Sequence, residues 1–210
     1  MLCLRILDKN NNVKAKYSGV NISVTYDGSF DDGDKIKITL DSGFYFALSL
    51  DKTLKESLIY VPNKSYEFLI PTKNQVAGCY DRLAFQGNEH FLSVREVDES
   101  EIYSYRNLAL NSHDFPTQKK GYPHASANFV TREEPCFYAR NAIDGVINNQ
   151  GHGGYPFHSW AGGARNDLEF YLDFGQEVEL DELVFYLRAD FTNDPDGKPH
   201  DSYWKNIDVL

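Results

Sequence analysis

Residues 36–48, with the sequence IKITLDSGFYFAL, decide the fold class of the chain. Apolar residues occupy every second position on both sides of the Asp-Ser-Gly turn at 41–43, namely Ile36, Ile38 and Leu40 before it and Phe44, Phe46 and Leu48 after it. A period of two places alternate side chains on one face of a strand. The segment therefore predicts two half-buried strands joined by a tight turn.

The remaining apolar runs of residues 1–104 follow the same pattern. They are Leu2/Leu4/Ile6, Ile22/Val24/Tyr26, and the runs at 58–61, 67–70 and 91–94. Turn residues separate them, at Asp27-Gly28, Asp32-Gly33 and Pro62-Asn63-Lys64. Six or seven short strands at this spacing predict an all-β fold with an N-terminal β-sandwich, and helix is expected only as single turns near 52–57 or 98–104.

Composition narrows the class of ligand. The 210 residues carry a net charge of −10, with 41% hydrophobic and 14% aromatic residues. Such a chain buries a core rather than remaining disordered, and its charge repels phosphate backbones, so a nucleic-acid partner is not expected. A neutral carbohydrate or a metal cation meets no such barrier.

Cys3, Cys79 and Cys136 are odd in number and widely spaced, which predicts free thiols in a reducing compartment. The first residues show neither the basic start nor the apolar run of a signal peptide, and no stretch is long enough to span a bilayer. A cytoplasmic location without a membrane partner is expected; secretion is the alternative if a signal has been lost.

The character of the sequence changes near Glu101–Asn107, which predicts two domains, at 1–104 and 105–210. The second half has longer loops rich in Gly, Asn, His and Pro. Strands are expected there at 125–130, 168–174, 178–187 and 203–210.

Several segments of this half, taken in order, resemble the discoidin domain, also called the coagulation factor V/VIII type C domain. They are Asn107–Asn111, Ala139–Gly145 with the sequence ARNAIDG, Ser159-Trp160, Leu172–Gly175 with the sequence LDFG, Val178–Arg188 and Tyr203–Leu210. Bacterial relatives of that family include family 32 carbohydrate-binding modules. The resemblance implies a galactose-binding-like jelly-roll sandwich over 107–210.

The chain stops at Val209-Leu210, in a strand that lies mid-domain in the resembling family. The final strands of the jelly roll are then missing, which would leave unpaired backbone groups and an exposed apolar face. Three explanations stay open: the chain is a fragment, another chain or a second copy supplies the strands, or the domain closes differently.

The turn Ala142-Ile143-Asp144-Gly145 is the first candidate site. Read from its residues alone it is a tight turn, in which Gly permits positive φ, or a calcium turn built of hard oxygen ligands. The resemblance implies calcium held by the Ala142 carbonyl, the Asp144 carboxylate and the Ser159 hydroxyl, and Asn149 or Asn148 is a further candidate ligand.

The loop between Arg188 and Trp204 is the second candidate site. It offers Arg188, His200 and Asp201 for sugar hydroxyls and Tyr203 or Trp204 for the apolar face of a pyranose ring. The resemblance implies a ligand-binding Arg at the strand end that Arg188 occupies. The alternative is a solvated loop whose Arg pairs with Asp190 or Asp201.

The Gly-rich loop 149–160 adds His158 as a hydroxyl donor, whereas Trp160 is expected in the core. His152 and His158 lack the spacing of a zinc site. There is no GxSxG elbow and no phosphate-cradling loop, so no catalytic residue is predicted.

Three functional hypotheses follow. The leading one is a non-catalytic carbohydrate-binding protein whose discoidin-like domain is stabilised by calcium. The second is a structural or interaction protein without a small ligand, and the third is an accessory module of a glycan-processing enzyme.

Overall fold

The computed structural model describes residues 1–117, 120–148, 150–151, 153–188, 204 and 206–210. The strands among these residues are, in chain order, β1 (Leu2–Leu7), β2 (Val13–Gly19), β3 (Asn21–Asp27), β4 (Lys35–Leu40), β5 (Tyr45–Ser49), β6 (Ser57–Tyr60), β7 (Ser65–Leu69), β8 (Glu89–Glu96), β9 (His124–Ala127) and β10 (Phe170–Asp173). The helices are α1 (Lys73–Cys79) and α2 (Glu99–Ile102), with 3-10 turns at Thr131–Glu133, Pro135–Phe137 and Ala139–Ala142. The prediction of an all-β fold is confirmed.

Two four-stranded antiparallel sheets build the N-terminal half. Their strand orders are β2-β1-β4-β7 and β3-β8-β5-β6. Ile36 and Ile38 of β4 lie opposite Ile6 and Leu4 of β1, and all four side chains are fully buried. Buried residues of both sheets belong to one core cluster, in which Leu92 of β8 joins those of β1 and β4. The period-two pattern thus correctly identified the inward faces of β1 and β4, whereas Phe44, predicted to lie inward with Phe46 and Leu48, is exposed.

Helix α1 was not predicted from the sequence. It begins with a capping box, in which the Thr72 hydroxyl accepts from the Gln75 amide and the Gln75 side chain accepts from the Thr72 amide. Only Val76 and Cys79 of its seven residues are buried, so its apolar stripe is too short to be read from sequence. The single turn expected within 98–104 is α2, whereas residues 52–57 contain no helix.

The second half holds less regular structure. β9 and β10 form a two-stranded antiparallel sheet. β9 overlaps the strand expected at 125–130, and β10 lies within the strand expected at 168–174. The prediction of a strand over 178–187 is wrong, because these residues form no strand in the structure. For the strand expected over 203–210, residues 204 and 206–210 form none, and Tyr203 and Lys205 lie outside the described residues. Residues 178–187 have strand propensity, but a strand also needs a neighbouring strand for its backbone hydrogen bonds. In the described part of the chain β10 pairs only with β9, and no strand pairs with 178–187.

Buried polar contacts join the two halves. The backbones of Tyr60 and Tyr122 form a β-bridge with N–O distances of 2.9 Å in both directions. The Leu50 amide donates to His113 Nε2 at 3.0 Å, and the Tyr66 hydroxyl donates to the His113 carbonyl at 3.0 Å. The domain boundary near residue 104 stays a prediction, since these contacts do not test whether each half folds alone.

All three cysteines are free thiols in the structure. Among the described residues, no helix has the length and apolar character needed to cross a membrane.

Candidate functional site

The Asp144 turn lies in the interior of the second half. A 3-10 turn, Ala139–Ala142, leads into it, and Gly145 follows with φ of +80°, a value that favours glycine. Asp144 is 4% exposed. Its Oδ1 accepts from the Val146 amide at 2.8 Å, and its Oδ2 accepts from His158 Nε2 at 2.5 Å. The carboxylate is therefore already held by groups of the chain itself.

Arg140 is the cation at the centre of this region. Its side chain is 1% exposed, and its Nη1 lies 3.5 Å from Asp144 Oδ2. The guanidinium donates to three backbone carbonyls, those of Asp114 at 2.8 Å, Ser112 at 2.8 Å and Cys79 at 3.0 Å. It also lies 4.5 Å from the ring centroid of Tyr80. Burial by itself lowers the pKa of Arg140, but the neighbouring Tyr80, Cys79 and Asp144 reverse the balance and raise it.

Two histidine–aspartate pairs flank Arg140. His124 Nδ1 donates to Asp114 Oδ1 at 2.7 Å, and His158 forms the pair with Asp144 given above. The His158 ring stacks on Tyr155 with centroids 5.3 Å apart. Its Nδ1 is buried without a hydrogen-bond partner among the described residues. The sequence analysis did not predict that these histidines form hydrogen bonds with buried carboxylates. The similar segments GYPH at 121–124 and GYPFH at 154–158 were the available signal.

The residues predicted as calcium ligands are only partly brought together. Ala142 and Asp144 share the turn, and the Ser159 carbonyl lies 3.5 Å from the Asn141 side-chain amide. Asn149 lies outside the described residues, among which no three His, Cys, Asp or Glu side chains form a group that could hold a metal. Calcium binding through Asp144 would require its carboxylate to release His158 and to tolerate a cation beside Arg140. Calcium stays a prediction.

Three of the predicted sugar-binding residues, His158, Arg188 and Trp204, belong to or contact the loop 150–160. Arg188 Nη1 donates to the His158 carbonyl at 3.2 Å, and its Nη2 donates to the Gly151 carbonyl. The Trp204 ring lies 4.9 Å from the Trp160 ring, and Trp204 is 37% exposed. Trp160 packs on the core of the second half, as expected from the sequence. The predicted partners His200, Asp201 and Tyr203 lie outside the described residues.

His158 contributes to this region differently from the expectation of a hydroxyl donor at the surface. It is 3% exposed, and its Nε2 is engaged by Asp144. Its backbone carbonyl, not its ring, contacts Arg188. The ring therefore holds the loop in place.

Two cavities lie elsewhere, and neither is lined by Arg188 or Trp204. The larger, of about 450 Å³, runs along 125–130 and is also lined by Glu133 and Tyr138. At its rim Arg132 and Glu133 both adopt positive φ, 53° and 54°, a strained backbone of the kind that collects at functional sites. The smaller cavity, of about 250 Å³, contains Arg106. No sequence motif marks the residues that line either cavity.

The thiols of Cys79, which is buried, and Cys136, which is partly buried, are poorly suited to nucleophilic chemistry. Burial raises the pKa of Cys79 and of Cys136, chiefly by desolvating the thiolate. A raised pKa disfavours the reactive thiolate form.

No family model matches the chain, and no match is found among curated proteins or solved structures. The functional assignment therefore depends on the chemistry of the residues and their placement.

Proposed function

We propose that the chain is a non-catalytic carbohydrate-binding protein, whose discoidin-like second half contacts a glycan through Arg188 and Trp204. One observation carries the proposal: both residues are anchored on the same short loop, Arg188 on the His158 carbonyl and Trp204 on the Trp160 ring. A planar donor fork and an exposed indole, each anchored on this loop, match the hydroxyl rim and the C–H face of a pyranose.

The anchoring of Arg188 supports a preformed site. Two backbone carbonyls accept from its guanidinium, so its position is fixed before a ligand arrives. The loop that offers these carbonyls is held from behind, because the buried His158 ring is bonded to Asp144 and stacked on Tyr155. Preorganised donors lose less entropy on binding than mobile ones.

A glycan-array screen of the full chain tests the proposal, with and without calcium. A shallow site should bind with Kd between micromolar and millimolar, roughly −8 to −4 kcal/mol. Arg188→Ala should abolish binding while leaving the urea unfolding midpoint nearly unchanged. Arg165→Ala is the matched control, because Arg165 is an exposed Arg of the same half that pairs with Asp167.

Three further variants test the predicted partners: His200→Ala, Asp201→Ala and Tyr203→Ala should each weaken glycan binding. Normal glycan binding by the Arg188→Ala variant would show that Arg188 is not part of the glycan site. Loss of binding in a Tyr138→Ala variant instead would move it to the cavity along 125–130, which Tyr138 lines. Binding that disappears with a calcium chelator would support the calcium-stabilised form of the proposal.

A second candidate function is that of an interaction protein. A row of apolar side chains is exposed, at Leu180, Leu183, Val184, Phe185, Tyr186 and Leu187. Exposed apolar surface of this kind is typical of association sites. On this reading a second copy of the chain covers the row, and light scattering after size exclusion should give a dimer mass that Val184→Lys lowers to that of the monomer.

A further inference from the structure

The cavity of about 250 Å³ lies where the two halves meet. Leu58 of β6, Arg95 of β8 and Glu101 of α2 line it from the first half. Arg106 and Leu110, from the segment that follows α2, line it from the other side. It therefore combines two guanidinium groups with two leucine side chains in one small space.

Arg95 is fully engaged with acidic neighbours. It makes two hydrogen bonds to Glu101, both at 2.8 Å, and two to Glu56, at 2.8 and 3.3 Å. Bonding of this kind to both carboxylates raises the pKa of Arg95 and lowers that of Glu101. Glu56 and Glu101 both accept from Arg95, and no hydrogen bond or ion pair joins either of them to Arg106.

Arg106 is the guanidinium of this cavity that lacks a hydrogen-bond acceptor among the described residues. It is half-buried, and no hydrogen bond or ion pair links it to any described residue. Its Nε is fully buried and without a partner. Burial lowers the pKa of Arg106, because the charged guanidinium is less well solvated here than in water. Buried guanidinium groups are ordinarily hydrogen-bonded, so an orphaned donor in a cavity indicates an absent acceptor.

We propose that this cavity is a second binding site, independent of the glycan surface, which takes a small monovalent carboxylate on Arg106. A carboxylate offers two coplanar oxygens that match the guanidinium fork. Leu58 and Leu110 then cover the apolar part of the ligand. A uronic acid and a short aliphatic acid both have this chemistry.

The local charge selects a single negative charge over a double one. Glu56 and Glu101 line the same cavity as Arg106, so every additional negative charge on the ligand meets repulsion at short range. The net charge of −10 acts in the same direction. Inorganic phosphate, largely dianionic near pH 7.5, should therefore bind more weakly than acetate.

An NMR titration of the full chain tests the proposal through the Nε–H signal of Arg106, which reports directly on the orphaned donor. Sodium acetate, sodium glucuronate, glucose and inorganic phosphate are added at constant ionic strength. Acetate and glucuronate should shift the signal saturably, glucose should not, and phosphate should bind at least threefold more weakly. Because glucuronate and glucose share a ring, their difference isolates the carboxylate.

Arg106→Gln should weaken carboxylate binding at least tenfold, measured on backbone amides around Leu58 and Leu110. Arg106→Lys, which keeps the charge but not the fork, should give an intermediate loss and serves if the Gln variant does not fold. Arg82→Gln, at an exposed position, should bind as the unaltered chain does. A linear shift without saturation, equal shifts with chloride, or phosphate binding as tight as acetate would overturn the proposal. None of these outcomes bears on glycan binding, which is measured at Arg188.

Discussion

His113 shows how a single residue links the two halves by its protonation state. Its ring is fully buried, and its Nε2 accepts a hydrogen bond from the Leu50 amide at 3.0 Å. Nδ1 then carries the proton and donates to Ser112 Oγ at 3.0 Å. Only the neutral imidazole can accept from Leu50, because both nitrogens donate when the ring is charged. Burial, helped by the charge of Arg140, lowers the pKa of His113 to about 3.

The stability of the protein should therefore fall on mild acidification. The ordinary pKa of histidine is 6.5, so between pH 6.5 and about 3 the unfolded chain binds more protons than the folded one. The contribution of His113 is constant above that window and is lost as the pH drops through it. Between pH 7 and pH 5 the loss amounts to about 2 kcal/mol.

Urea unfolding at pH 7 and pH 5 measures this effect. His113→Gln should be less stable than the unaltered chain at pH 7, because it disturbs a packed hydrogen-bond network. Its stability should nevertheless depend less on pH, by about 2 kcal/mol over the same interval. Equal losses in both proteins would show that other groups cause the acid sensitivity.

The sequence did not reveal such individual roles. The sequence predicted no role for Arg140 beyond its place in the ARNAIDG motif, and for Asp144 it predicted only that of a calcium ligand. Nothing in a linear sequence marks which carbonyl a buried Arg will reach. His158 was expected at the surface because Gly-rich loops ordinarily lie there. Its burial follows from the Asp144 carboxylate, which needs a compensating donor, and that partnership spans 14 residues.

At the scale of elements, α1 depends on a close approach that only glycine allows. A Cβ on Gly78 would lie 2.5 Å from the Pro135 Cβ and 3.0 Å from the Cys136 amide nitrogen. The Gly78 carbonyl also accepts from the Tyr155 amide at 3.1 Å. The helix is thus fitted against the 3-10 turn Pro135–Phe137 of the other half.

Gly78→Ala separates two opposing effects. Helix propensity alone favours alanine by about 1 kcal/mol. The clash with the Pro135 ring should reverse the sign, since overpacking typically costs about 1–3 kcal/mol. We expect a net loss of stability in thermal unfolding. A variant more stable than the parent would show that α1 can move away from Pro135 at little cost.

Elements were predictable where the signal was local. Most strands of 1–104 are recognisable in the sequence because apolar residues recur at every second position, as at Ile36 and Ile38. β2 was missed although Val13, Ala15 and Tyr17 alternate with lysines, because Ala15 is small and Val13 is exposed. The segment 178–187 was read as a strand from its apolar residues, but strand formation also requires a neighbouring backbone, which local sequence does not specify.

At the scale of the whole molecule, the junction predicts cooperative unfolding. Arg140 of the second half donates to the Cys79 carbonyl of the first, and Ser112 and Ser57 hydroxyls lie 3.1 Å apart across the same boundary. Breaking such contacts leaves buried charges and carbonyls uncompensated, at a cost of several kcal/mol. The two halves should therefore lose their structure together.

Two spectroscopic probes report on the halves separately. Trp160 and Trp204, the two tryptophans of the chain, report the second half by fluorescence, whereas far-UV circular dichroism is dominated by the eight strands of the first. The two urea transitions should coincide. Arg140→Met should destabilise both by about 3–5 kcal/mol, because it leaves Asp144 buried without its cation. Well-separated transitions in the unaltered chain would instead indicate independent domains.

The contacts of Arg140 also affect the order of events during synthesis. The Cys79 carbonyl and the Tyr80 ring leave the ribosome about 60 residues of synthesis before Arg140 does, or roughly 3–12 s at ordinary elongation rates. Until then the first half exposes the surface that the second will cover. A nascent chain paused in that interval should accordingly be cleaved by proteases and bound by chaperones more readily than the finished protein. This difference should disappear once Arg140 has made its contacts with the first half.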